Sequence, residues 1–310
     1  MTFFNDPVVL SGAKAFVAVI MILSNSILVF VTYKTKTLNS TCNWLIAANS
    51  ACIALYSLTY FVQFGIVLLR PSGIPLWQCC LLIPVPLFFL CCQYILLPLI
   101  ALDRLIGVIF PLKQMGSRYK RHYMFFALVA STSFGLFIVA SSVNNSIINF
   151  SENLVFCMTS EPAPAYFANC SWALNFSSAI LYLALWVRVK LLSSCVSQKT
   201  KFNDAVTRRI LFSLVAIFMV EMCGWASYWT VYLLVHFDIS EATKWFALSY
   251  IGFVMQLTLS LNGPILYALS SDYRTAFRAV LRIGKPSQPT KALFVVPVKR
   301  TGKTNVGKTI

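Results

Sequence analysis

The sequence predicts an all-α protein: a bundle of seven membrane-spanning helices followed by a short amphipathic helix at the membrane surface. Three observations predict it. Hydrophobic residues make up 58% of the chain and charged residues only 11%, against about 45–50% and about 25% in soluble domains. The apolar residues gather into runs of about 20, the length that crosses the hydrocarbon core as a helix. The basic residues fall in alternate gaps between those runs. With a mean hydropathy of +0.75, the chain has more apolar surface than a soluble core could hide.

Backbone amides in hydrocarbon must be satisfied internally, so each run reads as a helix. The spans are expected at Gly12–Tyr33, Asn43–Leu69, Leu76–Phe110, Tyr123–Asn145, Ala165–Leu192, Asp204–Phe237 and Lys244–Leu269. Met1–Leu10 lacks a basic n-region, and the first run is longer than a signal-peptide core of about 7–15 residues. It is expected to serve as its own insertion signal. Residues 1–11 then form an extracellular N-terminus and residues 12–269 the helical domain. Pro84, Pro86 and Pro98 fall in the third span, whose outer half is expected to be bent or irregular.

Lys34 and Lys36 follow the first span, Lys113, Arg118, Lys120 and Arg121 the third, and Arg188 to Arg209 the fifth. Arg274, Arg278, Arg282 and the terminal lysines follow the seventh. Only Lys14, Arg70 and Lys244 lie on the other side. Basic loops stay in the cytoplasm, so the N-terminus is expected outside and the C-terminus inside the plasma membrane. The net charge of +16 is thereby explained by membrane topology, and no nucleic-acid partner is expected. Sequons at Asn144, Asn149 and Asn169 cluster around the loop between spans four and five, on the predicted outer side, and are glycosylation candidates. Most of the ten cysteines lie in apolar runs, where a thiol is a small hydrophobe.

Residues 270–283 form the expected surface helix: Tyr273, Ala276, Phe277, Val280 and Leu281 share one side and three arginines the other, a pattern suited to an anionic leaflet. Residues 284–310 are polar, basic and expected to be disordered.

Two local motifs carry chemistry. Asp103-Arg104-Leu105 ends the third span, where an acid beside an arginine can hold the cation near the interface for a partner. Asn262-Gly263-Pro264-Ile265-Leu266-Tyr267 ends the seventh, where proline frees a carbonyl and kinks the helix and a tyrosine one turn later can swing inward. Positive-inside charge and an ordinary proline kink are the plainer readings of each. Glu221 is the one acid deep in a predicted span. A charge there costs roughly 2.5–3.5 kcal/mol on insertion scales, so it should face the interior, paired or protonated. A ligand contact and a structural hydrogen bond both fit, with Gln93 as one candidate partner.

In combination these features resemble the rhodopsin-like G-protein-coupled receptors over about Gly12 to Arg282. The Cys42-Asn43-Trp44-Leu45-Ile46-Ala47-Ala48-Asn49 opening of span two and the Ser271-Asp272-Tyr273-Arg274 ending are similar in particular to the nematode serpentine chemoreceptors of the Srsx type. The resemblance places Asn25 at the family's span-one asparagine, Asp103 and Arg104 at its acid–arginine pair, and Pro264 with Tyr267 at its proline-x-x-tyrosine. It implies a bridge from span three to the second extracellular loop. Cys79 and Cys80 compete at one end, Cys157 and Cys170 at the other, and Cys79–Cys157 is favoured because Cys170 lies close to span five. Asp204 either pairs with Arg104 at rest or is a solvated loop acid, and Tyr182 would join Tyr267 when span six swings outward. Trp225 is the candidate for the family's aromatic toggle.

The chain also departs from the family. The acid expected in mid-span two is Ile53, and the asparagine before the span-seven proline is Gly263, with Asn262 one residue earlier. Both belong to the family's sodium and water network, which the sequence therefore does not support. The position of the amine-binding aspartate is Pro86 and that of the retinal lysine is Leu257, against amine or retinal ligands.

The function implied is a chemosensory receptor, without enzymatic activity or cofactor, that binds a small molecule or short peptide and activates a heterotrimeric G protein. Ligand candidates in the bundle's outer half are Leu87, Leu90, Glu221, Trp225, Tyr228, Trp229, Phe253 and Gln256. A seven-helix transporter or channel is the alternative, although such proteins usually show repeated halves and several intramembrane charges. His122 and His236 lie at opposite faces, so no metal site is expected.

Overall fold

The computed structural model describes residues 6–70, 72–109, 117–148, 154–158, 161–164, 166–195, 215–228, 230–231 and 241–282. Among these, six helical segments are long and apolar enough to cross a membrane, and a seventh, Val215–Tyr228, is apolar but shorter. The architecture is a seven-helix bundle of a multi-pass membrane protein. In chain order the helices are α1 (Pro7–Lys34), α2 (Thr41–Tyr56), α3 (Thr59–Leu69), α4 (Leu76–Leu82), α5 (Pro84–Ile109), α6 (Ser117–Ile148) and α7 (Tyr166–Cys195). They continue with α8 (Val215–Tyr228), α9 (Glu241–Ser260), α10 (Asn262–Leu269) and α11 (Ser271–Leu281). The expected flanks of span six, Asp204 included, lie outside the described residues.

Several expected spans are broken, each for a local reason. The first begins earlier than expected, at Pro7, because the Asp6 side chain accepts from the Val8 N–H at 2.8 Å and proline occupies the first turn. Asparate at the N-cap and proline just inside satisfy or remove the orphan donors of a helix start. The second span is two helices, α2 and α3. Ser57 Oγ donates back to the Ala54 carbonyl at 2.5 Å, and Leu58 N–H bonds Leu55 rather than a residue four back, a pattern that tightens and bends a helix. The third divides at Ile83 (φ −113°, ψ 14°), as the clash of Pro84 with the preceding residue requires. Pro98 stays inside α5.

The seventh span breaks at Leu261 into α9 and α10. Pro264 has no N–H to offer the Ser260 carbonyl, and Ser24 Oγ of α1 donates to that carbonyl instead, at 2.8 Å. Asn25 Nδ2 bonds the Leu259 carbonyl at 3.2 Å and its own Met21 carbonyl at 2.9 Å. A Cβ on Gly263 would lie 2.9 Å from Ser24 Oγ and 3.2 Å from the Ser24 carbonyl oxygen. Gly263 therefore admits α1 to the kink, and an asparagine here would exclude it.

The outside of the bundle is apolar: Phe16, Leu23, Phe125, Phe137, Phe176 and Leu183 are each more than half exposed, the reverse of a soluble surface. The inside holds Asn25, Gln93, Glu221, Ser249 and Gln256, all fully buried. The amphipathic α11 turns Tyr273, Ala276 and Phe277 into the same core cluster as Leu28, Val31 and Leu38. Those side chains, expected to meet the leaflet, are committed to the protein because α1 reaches Lys34 and the turn Lys36–Leu38 lies against them. Leu281 remains 39% exposed.

At the end of the bundle opposite α11, a two-stranded sheet pairs β1 (Ile74–Pro75) antiparallel with β2 (Leu154–Val155), Ile74 facing Val155. Gly73 adopts φ +85°, and a Cβ there would stand 2.9 Å from the Val155 carbonyl oxygen, so turn and close approach both require glycine. Cys79 is bonded to Cys157 (Cα–Cα 5.3 Å), while Cys80 and Cys170 are free. Asn144 and Asn169 are exposed, and Asn149 lies outside the described residues.

The bridge closes a segment of 78 residues, for which chain entropy predicts about 4 kcal/mol. Cys157→Ser should sharply reduce folded protein at the cell surface, whereas Cys80→Ala and Cys170→Ala should leave the bridge intact; counting alkylatable thiols before and after reduction checks both.

Half-buried Glu161 accepts the Met158 N–H at 2.7 Å in the same loop. Burial pushes its carboxyl up from 4.5 to about 7, against the Met158 and Cys157 N–H groups and the charge of Lys14, which favour ionisation. The folded loop thus holds this proton more tightly than the unfolded chain. The stabilisation is complete below about pH 4.5 and is lost as pH rises through about 7. The part of the unfolding temperature that falls across this window should disappear in Glu161→Gln, measured on purified protein in lipid.

Candidate functional site: two cavities in the helix bundle

Two cavities follow one another along the bundle axis. The first, about 50 Å³, lies toward the disulfide end. Helix α1 supplies Lys14, the second span Tyr56, Thr59, Tyr60 and Gln63, and α5 Leu90 and Tyr94. Helices α7 and α8 add Phe167, Trp225 and Tyr228, α9 adds Leu248, Gly252 and Met255, and Met158 of the disulfide loop completes the lining. Aromatic rings form much of the wall: Tyr94 lies 4.8 Å from Trp225 and 5.9 Å from Phe167, centroid to centroid. The Tyr56 and Tyr60 hydroxyls meet at 3.0 Å.

Lys14 is 4% exposed. Its Nζ donates to Gln63 Oε1 at 2.9 Å and stands 5.4 Å from the centre of the Tyr60 ring. Gln256 Nε2 of α9 holds the Lys14 carbonyl at 3.0 Å. Sequence reasoning counted Lys14 among the outer basic residues. The signal that would have found it is its position two residues inside the expected first span, since an ionisable group within an apolar run marks a site.

The second cavity, about 20 Å³, is lined by Asn49 and Ser50 of α2, Leu97 and Ile100 of α5, Tyr182 of α7, Phe218 and Glu221 of α8, and Asn262 of α10. Asn262 Nδ2 donates to Glu221 Oε1 at 2.7 Å. Glu221 Oε2, Asn262 Oδ1, Asn49 Oδ1 and Ser50 Oγ are buried without a partner. Asn262 is the partner of Glu221; the candidate partner Gln93 makes no side-chain hydrogen bond among the described residues. Leu97, one turn further along the same face of α5, lines the cavity in place of Gln93. A polar cluster thus exists where the sequence, lacking the span-two acid, offered none, and its carboxylate comes from the sixth span.

Of the expected ligand residues, Leu90, Trp225 and Tyr228 line the first cavity. Leu87 packs in the cluster behind it, Gln256 supports Lys14 from outside, and Phe253 does not line it. Glu221 lines the second cavity, and Trp229 lies outside the described residues.

Toward the α11 end, Arg104 Nε donates to Cys42 Sγ at 2.7 Å. Adjacent helical residues point away from each other, so Asp103 acts on Arg104 through space. The Tyr182 and Phe218 rings stack at 4.0 Å. Tyr267 is held apart from them by α11: its hydroxyl accepts from Arg278 Nε at 3.4 Å and its ring meets Phe277 edge-on at 5.8 Å. Pro264 is exposed, and Asp204 lies outside the described residues.

A seven-helix bundle with an aromatic-walled cavity beneath a disulfide-tethered loop, and a buried acid between that cavity and an arginine-bearing end, defines a membrane receptor-like architecture. Residues 18–281 match the model of the serpentine type 7TM GPCR chemoreceptor Srsx family, and the chain belongs to that family. No curated protein matches it.

Removing one partner of a buried hydrogen bond leaves the other unsatisfied, at about 1–3 kcal/mol. Asn262→Leu should therefore lower stability by about that amount. Glu221→Gln, whose amide oxygen can still accept from Asn262, should cost less than half as much; thermal unfolding of both variants in the same lipid decides it.

Proposed function

We propose that this chain is a chemosensory G-protein-coupled receptor. In this reading it stands in the plasma membrane with its N-terminus outside, binds a small external ligand in the Lys14 cavity, and activates a heterotrimeric G protein at its cytoplasmic face. It performs no catalysis. The observation that carries the reading is that one helix, α8, touches both ends of the path. Trp225 lines the ligand cavity, Glu221 is bonded to Asn262 one turn further on, and Phe218 stacks on Tyr182 another turn along. The Phe218 cluster includes Ala101 and Leu105, on either side of Arg104.

A ligand that displaces Trp225 changes the packing of Glu221 and Phe218 through the same rigid helix. An outward movement of α8 would separate Phe218 from Tyr182 and free the Arg104 side for a partner. A ligand shifts that equilibrium only by binding the two arrangements unequally, which a cavity wall formed by the moving helix makes possible. Family membership supports the receptor class, and the basic residues clustered beyond α7 and in α11 suit an acidic partner or anionic lipid.

The test compares wild type with Arg104→Ala at matched surface expression, reading G-protein activation across a panel of external compounds. The expected result is a response in wild type that the variant loses by at least tenfold. A surface-expressed protein that activates no G protein but conducts or moves a solute would replace the receptor reading with the transporter one.

A further inference from the structure

The Lys14 cavity combines an ammonium with two N–H donors that lack partners among the described residues. An ammonium carries three N–H groups and no acceptor, and among the described residues its bonded partner is the neutral Gln63. Glu161, the acid whose charge reaches Lys14, commits an oxygen to the Met158 N–H at 2.7 Å. The orientation of the Gln63 amide is set by chemistry, because reversing it would press its NH₂ against the ammonium. That orientation leaves Gln63 Nε2 buried and unpartnered in a side chain 3% exposed. Trp225, 2% exposed, lines the same cavity, and its Nε1–H is also unpartnered.

A buried cation whose bonded partner is neutral and whose acid, Glu161, acts only through space is costly, and an unpartnered buried donor adds to that cost. An anion with two acceptor oxygens relieves both at once. Leu90, Tyr94, Phe167 and Met255 give part of the remaining wall an apolar or aromatic face that suits a hydrocarbon, beside the hydroxyl-bearing Tyr56, Thr59, Tyr60 and Tyr228. The volume, about 50 Å³, is room for about three to five waters at about 10–15 Å³ each, which limits the occupant to a few heavy atoms.

We propose that this cavity binds a short-chain organic carboxylate, its oxygens on Lys14 Nζ and Gln63 Nε2 and its carbon chain against Tyr94 and Trp225. The assignment rests on the proposed function in taking this cavity as the ligand site, and adds the chemical class of the ligand. Alcohols of equal length leave the ammonium without a counter-charge, and alkylammonium ions are repelled by it.

The experiment uses the full chain in lipid nanodiscs at fixed pH and ionic strength. Its thermal unfolding is followed with acetate, propionate, butyrate and valerate, with the alcohols and alkylammonium ions of matching length, and with chloride. The expected result is stabilisation by the carboxylates that varies with chain length and is at least tenfold tighter than with the alcohols, and none from the alkylammonium ions. Lys14→Gln should erase the preference for acid over alcohol and Lys14→Arg should keep it. If Lys14→Gln does not fold, Gln63→Leu should weaken acid binding several-fold while leaving alcohol binding unchanged.

Equal binding of acids and alcohols overturns the proposal. So does the absence of any shift with the acids at tens of millimolar, or an equal shift with chloride. Acid binding without G-protein activation would remove the receptor reading and leave the carboxylate site standing. Activation through Arg104 by neutral or cationic compounds, with the acids inert, would do the opposite.

Discussion

The structure depends on a carbonyl that its own helix cannot satisfy. Pro264 deprives the Ser260 carbonyl of its intrahelical donor, in the interior of a bundle that sits in hydrocarbon. Ser24 Oγ supplies that donor at 2.8 Å and Asn25 Nδ2 secures the next carbonyl along. These bonds dock α1 against α9 and α10. The close approach they require is open because residue 263 is glycine, and the resulting bend sets the direction of α10 and the position of Asn262 on it. With α1 docked, Lys14 reaches the cavity from one side while Gln256 of α9 grips its carbonyl from the other.

Among the described residues the two buried acidic or basic side chains, Lys14 and Glu221, are kept apart and are held differently. Glu221 shares a hydrogen bond with Asn262 in a cavity of about 20 Å³. Lys14 has a glutamine oxygen and an aromatic face in a larger cavity. Were the two adjacent, they would form an ion pair and both sites would be spent on stability. Held on α1 and α8 at different depths, each leaves buried polar atoms unused, and such atoms at a cavity wall are where a ligand or a rearrangement gains free energy. Helix α8 lies between these sites with the aromatic residues Phe218 and Trp225 on either side of its acid, so the packing of one end constrains the other.

Much of the candidate site was legible in single residues and little of it in their pairing. Helical position marks Trp225, Tyr228 and Leu90 as ligand candidates, and all three line the first cavity; the cost of an intramembrane charge marks Glu221 as buried and bonded, as it is. Gln93 lies on the face of α5 that meets Glu221 but one turn short of it, so that Leu97 lines the cavity in its place. With a first span starting at Gly12, Lys14 falls among the outer charges. The N-cap at Asp6 moves the helix start to Pro7 and puts the lysine two turns inside. The apolar side of α11 was correctly read as amphipathic, but whether it faced lipid or protein depended on how far α1 extended.

By itself the sequence determined the quantities that add along the chain: the apolar runs of spanning length, the alternation of basic gaps, the breaks that Pro84 and Pro264 impose, and the residue types that cannot stay unpaired in hydrocarbon. Each follows from local chemistry or from the solvent, which act on residues near one another in the chain. Only the tertiary structure decided which unpaired group meets which. Ser24 is 236 residues from the carbonyl it satisfies, Glu221 is 41 from Asn262 and Lys14 is 49 from Gln63. Those meetings depend on the rotation and depth of each helix, which are set by packing against every neighbour together.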